Sequence, residues 1–181
     1  MKANEVRIVG GEWRSRRIRF APRASLRPTP DRVRETLFNW LGQDLTGLAC
    51  LDLFAGSGAL GFEAASRGAQ RVVMVERDAE AYAALERNRE ALRAHQVEAV
   101  RADALEFVRH DAGEYHVIFL DPPFDTAYGA RLLPVLPLRM VQGGWLYYES
   151  GTRMQWPPGW DVQKEGRAGQ VLFQLVKWTA K

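Results

Sequence analysis

A chain of 181 residues with 46% apolar content fits one domain, with room for a small appendage, and buries a core without covalent staples. Its one cysteine, Cys50, excludes an internal disulfide and suits a reducing compartment, and its three histidines, His95, His110 and His116, lack metal-ligand spacing. The start MKANEVRIVGG has no apolar signal core, and no run approaches a membrane span, so a soluble cytoplasmic protein is expected. The net charge of +3 is unevenly held: residues 1–34 carry ten Lys/Arg against three Asp/Glu, a local +7, which leaves −4 for the rest. Six of those basic residues, Arg14, Arg16, Arg17, Arg19, Arg23 and Arg27, fall in RSRRIRFAPRASLR, a density that favours a polyanion, with nucleic acid the first candidate. The plain alternative is a solvated, fraying arm.

In chain order, two short apolar runs flank Gly10-Gly11, as in a β-hairpin or a strand with a tight bend. Residues 1–28 read as a basic arm and 29–181 as the main domain. TPDRVRETLFNWL starts a helix, with Thr29 as its cap, Pro30 at its first position and Asp31 complementing the dipole. Val33, Leu37, Trp40 and Leu41 recur at core-facing spacing. From residue 49 strand and helix alternate. CLDLF is a strand, ALGFEAASRG a helix ending near Gly68, and RVVMVE a strand. DAEAYAALERNREALRA is a helix capped by Asp78, with Tyr82, Leu85, Arg89 and Leu92 along one side. VEAVR, ALEFVRH and YHVIFL follow as strand, short helix and strand. GARLLPVLPLRM reads as a helix broken by Pro134 and Pro137, GWLYYES as a strand, and DVQKEGRAGQVLFQLVKW as two strands turning at GRAG. Successive β-α-β units imply an α/β fold: a parallel sheet with helices on both faces, to which the terminal hairpin adds antiparallel strands at one edge.

Ligands of open α/β sheets bind beyond the C-terminal ends of the strands, so four ends carry the functional reading. In DLFAGSGALG, Gly56, Gly58 and Gly61 match G-x-G-x-x-G between strand and helix, a turn that lets backbone approach a nucleotide-like cofactor or simply turns tightly. Glu76 closes RVVMVE, where an acid can accept from both hydroxyls of a ribose; Asp78 is the better helix cap, which leaves Glu76 for a ligand. Asp103 in VRADALEF can accept from an exocyclic amine such as adenine N6, or can merely cap the short helix after it. The fourth end is LDPPFD. Proline cannot donate to a ladder, so the strand stops there. Phe124 offers a face on which a base can stack, and Asp121 and the Pro122 carbonyl offer acceptors for its amino group. Pro122 and Pro123 stiffen the arrangement.

DLFAGSGALG, Glu76, Asp103 and DPPF together resemble the class I S-adenosylmethionine-dependent methyltransferases, and D/N-P-P-Y/F belongs to those that methylate amino nitrogens. RIVGGEWRSRRI, LRPTPDRVRETLFNWL and FAGSGALGFEAASRGA narrow the resemblance to the RsmD family of bacterial ribosomal RNA guanine-N2 methyltransferases, from about residue 6 to the last strand. The resemblance implies a Rossmann-like class I methyltransferase fold, with a mainly parallel seven-stranded sheet and a basic N-terminal hairpin. It implies S-adenosylmethionine as cofactor, and as partner the 16S rRNA (guanine 966 in the family's usual numbering) within the small ribosomal subunit or an assembly intermediate. Carried over by residue, the loop Phe54, Ala55, Gly56, Ser57 and Gly58 would cradle the methionine part, with Asp52 near its amino group and Asp121 close by. Glu76 and Arg77 would hold the ribose side, and Asp103 with the Ala104 backbone would read the adenine. Asp121, Pro122, Pro123 and Phe124 would hold the target base, and Arg14, Arg16, Arg17, Arg19 and Arg27 would meet RNA. No metal is implied, and a single small domain makes a monomer the default.

Three rivals remain in view. An adenine-N6 nucleic-acid methyltransferase shares D-P-P-Y/F, but 181 residues leave no room for a large DNA target-recognition domain. A nicotinamide dehydrogenase has no use for DPPF and would need a second substrate domain. A non-catalytic RNA-binding or assembly protein would account for the basic arm alone.

Overall fold

The computed structural model describes residues 4–20, 28–123 and 127–180. A two-stranded hairpin, β1 (Glu5–Arg7) and β2 (Arg17–Arg19), precedes helix α1 (Asp31–Leu41). Strand and helix then alternate through β3 (Ala49–Asp52), α2 (Ala59–Ser66), β4 (Arg71–Val75), α3 (Ala79–Leu92), β5 (Val97–Val100), α4 (Ala104–His110) and β6 (Tyr115–Leu120). A short α5 (Tyr128–Leu132) and a 3₁₀ turn (Leu136–Arg139) lead into β7 (Met140–Ser150), β8 (Trp160–Ala168) and β9 (Val171–Trp178). The seven-stranded sheet has the order β5-β4-β3-β6-β7-β9-β8, parallel as far as β7 and antiparallel at β9 and β8. The chain leaves β3 toward β4 on one side, while β6 lies on the other. The crevice between the C-terminal ends of β3 and β6 is therefore the topological switch point, where such sheets bind ligands.

Two apolar clusters cover the two faces. One joins Cys50, Val72, Met74, Val117, Phe119 and Tyr147 of the sheet to Phe38 of α1, Phe62 of α2 and Leu85 of α3. The other joins Leu51, Val73, Ile118, Leu120 and Leu146 to Leu105 of α4 and Leu132 of α5. Alternation along each strand produces both faces, and burial on both sides explains the near-continuous apolar runs. Among the described residues, no helix is long and apolar enough to cross a membrane.

The hairpin is built into the first cluster through Val6, Ile8, Trp13 and Ile18, all buried. Its connecting loop is seated on the end of α2: the Glu12 amide donates to the Ser66 carbonyl (2.7 Å) and the Trp13 amide to Ser66 Oγ (2.9 Å). Gly11 is required there, because at φ 75° a Cβ would lie 1.9 Å from the Ser66 carbonyl oxygen. Beneath it lies Glu63, with no solvent exposure. Its carboxylate accepts from the amides of Val9 (2.9 Å) and Gly10 (2.8 Å), from Arg34 Nη1 (2.9 Å) and from Arg67 Nε (3.0 Å). Arg34, also fully buried, donates in addition to the Thr29 carbonyl (3.1 Å) and to Asp31 (2.5 Å). One buried carboxylate thus ties the arm to both flanking helices.

Several local expectations are corrected. Thr29 does not cap α1: the helix starts at Asp31 after Pro30 without a side-chain cap, and the Thr29 hydroxyl donates to Glu149 instead (3.2 Å). The buried face of α1 is Val33, Arg34, Leu37 and Phe38, with Trp40 and Leu41 only partly covered. A lone buried arginine is invisible to apolar periodicity. On α3 the buried residues are Ala81, Ala84, Leu85, Asn88 and Leu92 rather than Tyr82 and Arg89, because small residues let the helix sit close to the sheet. Asp78 caps α3 as expected, accepting from the amides of Glu80 and Ala81. The final hairpin turns at Gly169-Gln170, the last residue of GRAG and the one after it, since Gly166, Arg167 and Ala168 all pair with β9.

Candidate active site

Every strand-end residue singled out in the sequence, within the described residues, lies along one edge of the sheet. Asp52 ends β3, Glu76 follows β4, Asp103 follows β5, and Asp121 follows β6. An open crevice at the switch point is lined by Pro28, Thr29, Asp52, Phe54, the loop Ala55–Ser57, Ala59, Leu60 and Asp121. Phe124 and Arg27 lie outside the described residues.

The loop after β3 is held by its own backbone and by the acids around it. The Ala55 amide donates to the Val75 carbonyl (3.0 Å) and the Gly61 amide to Asp52 (3.1 Å). Gly58 has φ 81°, and a Cβ there would lie 2.7 Å from the Phe62 ring. Glu76 is not left idle by the better cap at Asp78. Its two oxygens accept from the amides of Gly56 (3.0 Å) and Asp78 (2.8 Å), so it clamps the glycine loop to the end of β4. Each oxygen keeps a second acceptor direction for a ligand hydroxyl.

Asp103 caps α4, accepting from the amides of Leu105 (2.9 Å) and Glu106 (3.3 Å) through one oxygen. Its other oxygen accepts from the Tyr128 hydroxyl. That hydroxyl also lies 3.4 Å from Arg77 Nη1, and the Tyr128 ring meets the Phe54 ring edge-on at 5.3 Å. Tyr128, from a short helix far along the chain, carried no signal in sequence; only the crossover returning over the sheet edge brings it to Asp103. Ala104 is buried at the first turn of α4.

Strand register puts the remaining acids together. Asp52 pairs with Phe119, and Phe119 with Tyr147, so their side chains share one face. Asp121 is two residues beyond Phe119 and Glu149 two beyond Tyr147, on that same face by alternation. Glu149 is buried, and its Oε1 accepts from Tyr147 (2.7 Å) and Thr29 (3.2 Å). Among the described residues, Asp52, Asp121 and Glu149 make no ion pair. Burial, only partly offset by the amides of Gly61 and Phe54, pushes Asp52 up to about 7. Burial, with the negative charges of Glu149 and Asp52, holds Asp121 well above the ordinary carboxylate range. Glu149 is raised by burial too, against the hydroxyls of Tyr147 and Thr29. A buried cluster of acids without a cation is costly alone and relieved by a positively charged ligand. Glu149 was not a sequence candidate, because an acid in the apolar run GWLYYES has no local mark of function.

The four described sequence-predicted arginines, Arg14, Arg16, Arg17 and Arg19, lie away from this pocket. Arg17 and Arg19, on β2, both pair with Glu5 (3.2 and 3.0 Å) and stay largely exposed. Arg16 donates to the Ala91 carbonyl near the end of α3 (2.9 Å), and Arg14 is exposed in the hairpin loop. Since α3 runs from the strand C-termini back to the opposite edge, the hairpin tip lies toward the edge away from the pocket.

A family model described as "Conserved hypothetical protein 95" matches residues 6–177. The chain is 36% identical to the ribosomal RNA small subunit methyltransferase D of Escherichia coli over 99% of this chain and 93% of that one. It is 37% identical to the protein of that name from Haemophilus influenzae, over 96% and 94%. A solved Escherichia coli structure of a proposed methyltransferase superimposes with a TM-score of 0.89 at 37% identity, covering 98% of this chain and 99% of that one.

Proposed function

Because the chain belongs to the RsmD family of ribosomal RNA methyltransferases, we propose that it methylates the exocyclic N2 of one guanine in 16S rRNA. The cofactor, S-adenosylmethionine, supplies an activated methyl group carried on a positively charged sulfur. The residues present fit that group. The donor set at the pocket is anionic, the glycine loop presents close backbone, and Glu76 offers acceptors to hydroxyls. The observation that carries the reading is Asp121 beside Asp52 at the switch point, in a pocket whose acids meet no cation among the described residues.

In this reading Asp52 faces the cofactor's ammonium and Glu76 its ribose. Asp103 would accept from the adenine amine. A guanine N2 is a poor nucleophile because its lone pair is delocalised into the ring. Asp121 and the Pro122 carbonyl accept from it, favour its pyramidalisation and stabilise the positive charge it gains. Pro122 and Pro123 hold those acceptors still, and Phe124 provides the stacking face. The base must leave its stack to reach them. The arm, residues 1–28, carries the RNA contacts through Arg14, Arg16, Arg17, Arg19 and Arg27, and the protein acts as a monomer in the cytoplasm.

The test is methyl transfer from labelled S-adenosylmethionine to unmodified small ribosomal subunits, with the RNA then digested to nucleosides. Label in N2-methylguanosine is expected, and fragment mapping locates the base. Label in N6-methyladenosine would overturn the base assignment, and bound cofactor without any label would overturn the substrate.

A further inference from the structure

Glu149 is a buried ionisable group beside the pocket that the mechanism leaves idle. Leu120 pairs with Tyr148 in parallel register, so Glu149 is the next residue beside Asp121 on the neighbouring strand. Its Oε1 receives two hydroxyls, one from Tyr147 of its own strand and one from Thr29. Thr29 lines the pocket together with Asp121, and its carbonyl is held by the buried Arg34. Glu149 is 5% exposed and does not line the pocket, so any action on the reaction passes through Asp121 and Thr29.

We propose that Glu149 is a positioning residue that makes Asp121 the acceptor of the proton released in methyl transfer, while fixing Thr29 at the pocket wall. This rests on the reading given above. As the N2–CH₃ bond forms and the S–CH₃ bond breaks, the positive charge passes from sulfur to nitrogen. The nitrogen then gives its proton to the Asp121 carboxylate and becomes a neutral secondary amine, and Asp121 loses the proton to water when the product leaves. A carboxylate beside a second buried negative charge holds a proton more firmly than one alone. The groups facing Asp121 are Asp52 from β3, Glu149 and Tyr147 from β7, and the uncharged Thr29; none is cationic among the described residues. The charge on Glu149 therefore bears on how firmly Asp121 holds its proton.

The test is Glu149→Gln, which keeps an oxygen to accept from Tyr147 and Thr29 but removes the charge. In the unliganded protein, unfolding by denaturant across pH comes first. Raised carboxylates make the unaltered fold lose stability as pH rises through their folded-state values, and Glu149→Gln should remove part of that fall. In turnover, the acid limb of the kcat–pH profile should move down by about one pH unit or more. At neutral pH kcat should drop about tenfold, with the KM for cofactor within about twofold. Glu149→Asp, which restores the charge, should return the acid limb to its original place even if kcat stays low. Unchanged pH profiles of both stability and kcat in Glu149→Gln, or a displaced limb in Glu149→Asp, overturn the inference. Failure of the unaltered protein to methylate guanine N2 overturns the reading beneath it, and is a separate result.

Discussion

A single buried acid and a cluster of three acids lie on the same face of this sheet, and they are satisfied in opposite ways. Glu63 is fully buried and completely answered: two arginines and two backbone amides converge on it. Asp52 and Glu149 are buried, with half-buried Asp121 beside them, and among the described residues the partners of Asp52 and Glu149 are amides and hydroxyls. Burial of charge is thus no mark of function by itself. The first welds the arm to α1 and α2, whereas the second meets no cation among the described residues and would be relieved by a cationic ligand. The two are linked through Arg34, which touches Glu63 with one nitrogen and the Thr29 carbonyl with another.

The sharpest break of this contrast is Asp121→Ala. Transfer to guanine should fall by on the order of 10³-fold or more, while cofactor binding by titration survives. Near-normal turnover by that variant removes Asp121 from the mechanism. Glu63→Ala should act on stability instead. It strands Arg34 and Arg67 in the interior and should cost about 3–5 kcal/mol in denaturant unfolding. A cost under about 1 kcal/mol would mean that the weld is ornamental.

Asp52→Asn separates the two groups by pH. The folded-state value of Asp52 is raised to about 7, above its unfolded value, so its contribution to stability is present in acid and is lost as pH rises toward 7. The variant should lose less stability than the unaltered protein between about pH 4 and pH 8, and should bind cofactor more weakly. An identical stability–pH curve would show that Asp52 titrates normally. The smallest effect is expected at the arm. Reversing charge at Arg14, Arg16, Arg17 and Arg19 should weaken RNA binding and flatten its salt dependence, leaving cofactor affinity unchanged. Because Arg17 and Arg19 already share Glu5, and Arg14 and Arg16 lie toward the far edge, Arg14→Glu and Arg16→Glu alone test whether RNA reaches that edge.

What the sequence determined by itself is what local chemistry encodes. Apolar runs, glycines and prolines are near-neighbour signals, so the alternating elements, the parallel sheet, the glycine loop and the acids at the strand ends were all legible. So was the Asp78 cap, which needs only its own helix. Tertiary structure alone decided where each polar group found its partner. Thr29 looked like a cap because serine-like residues cap helices, yet Glu149, 120 residues away, takes its hydroxyl. Arg34 and Glu63 carry no mark in their own segments and form the weld, and Tyr128 reaches Asp103 across 25 residues. Glu149 looked like one acid in a strand and stands beside Asp121. Hydrogen bonds and charge pairs act over a few ångströms of space, while strand register and crossover connections bring together residues that sequence separation conceals.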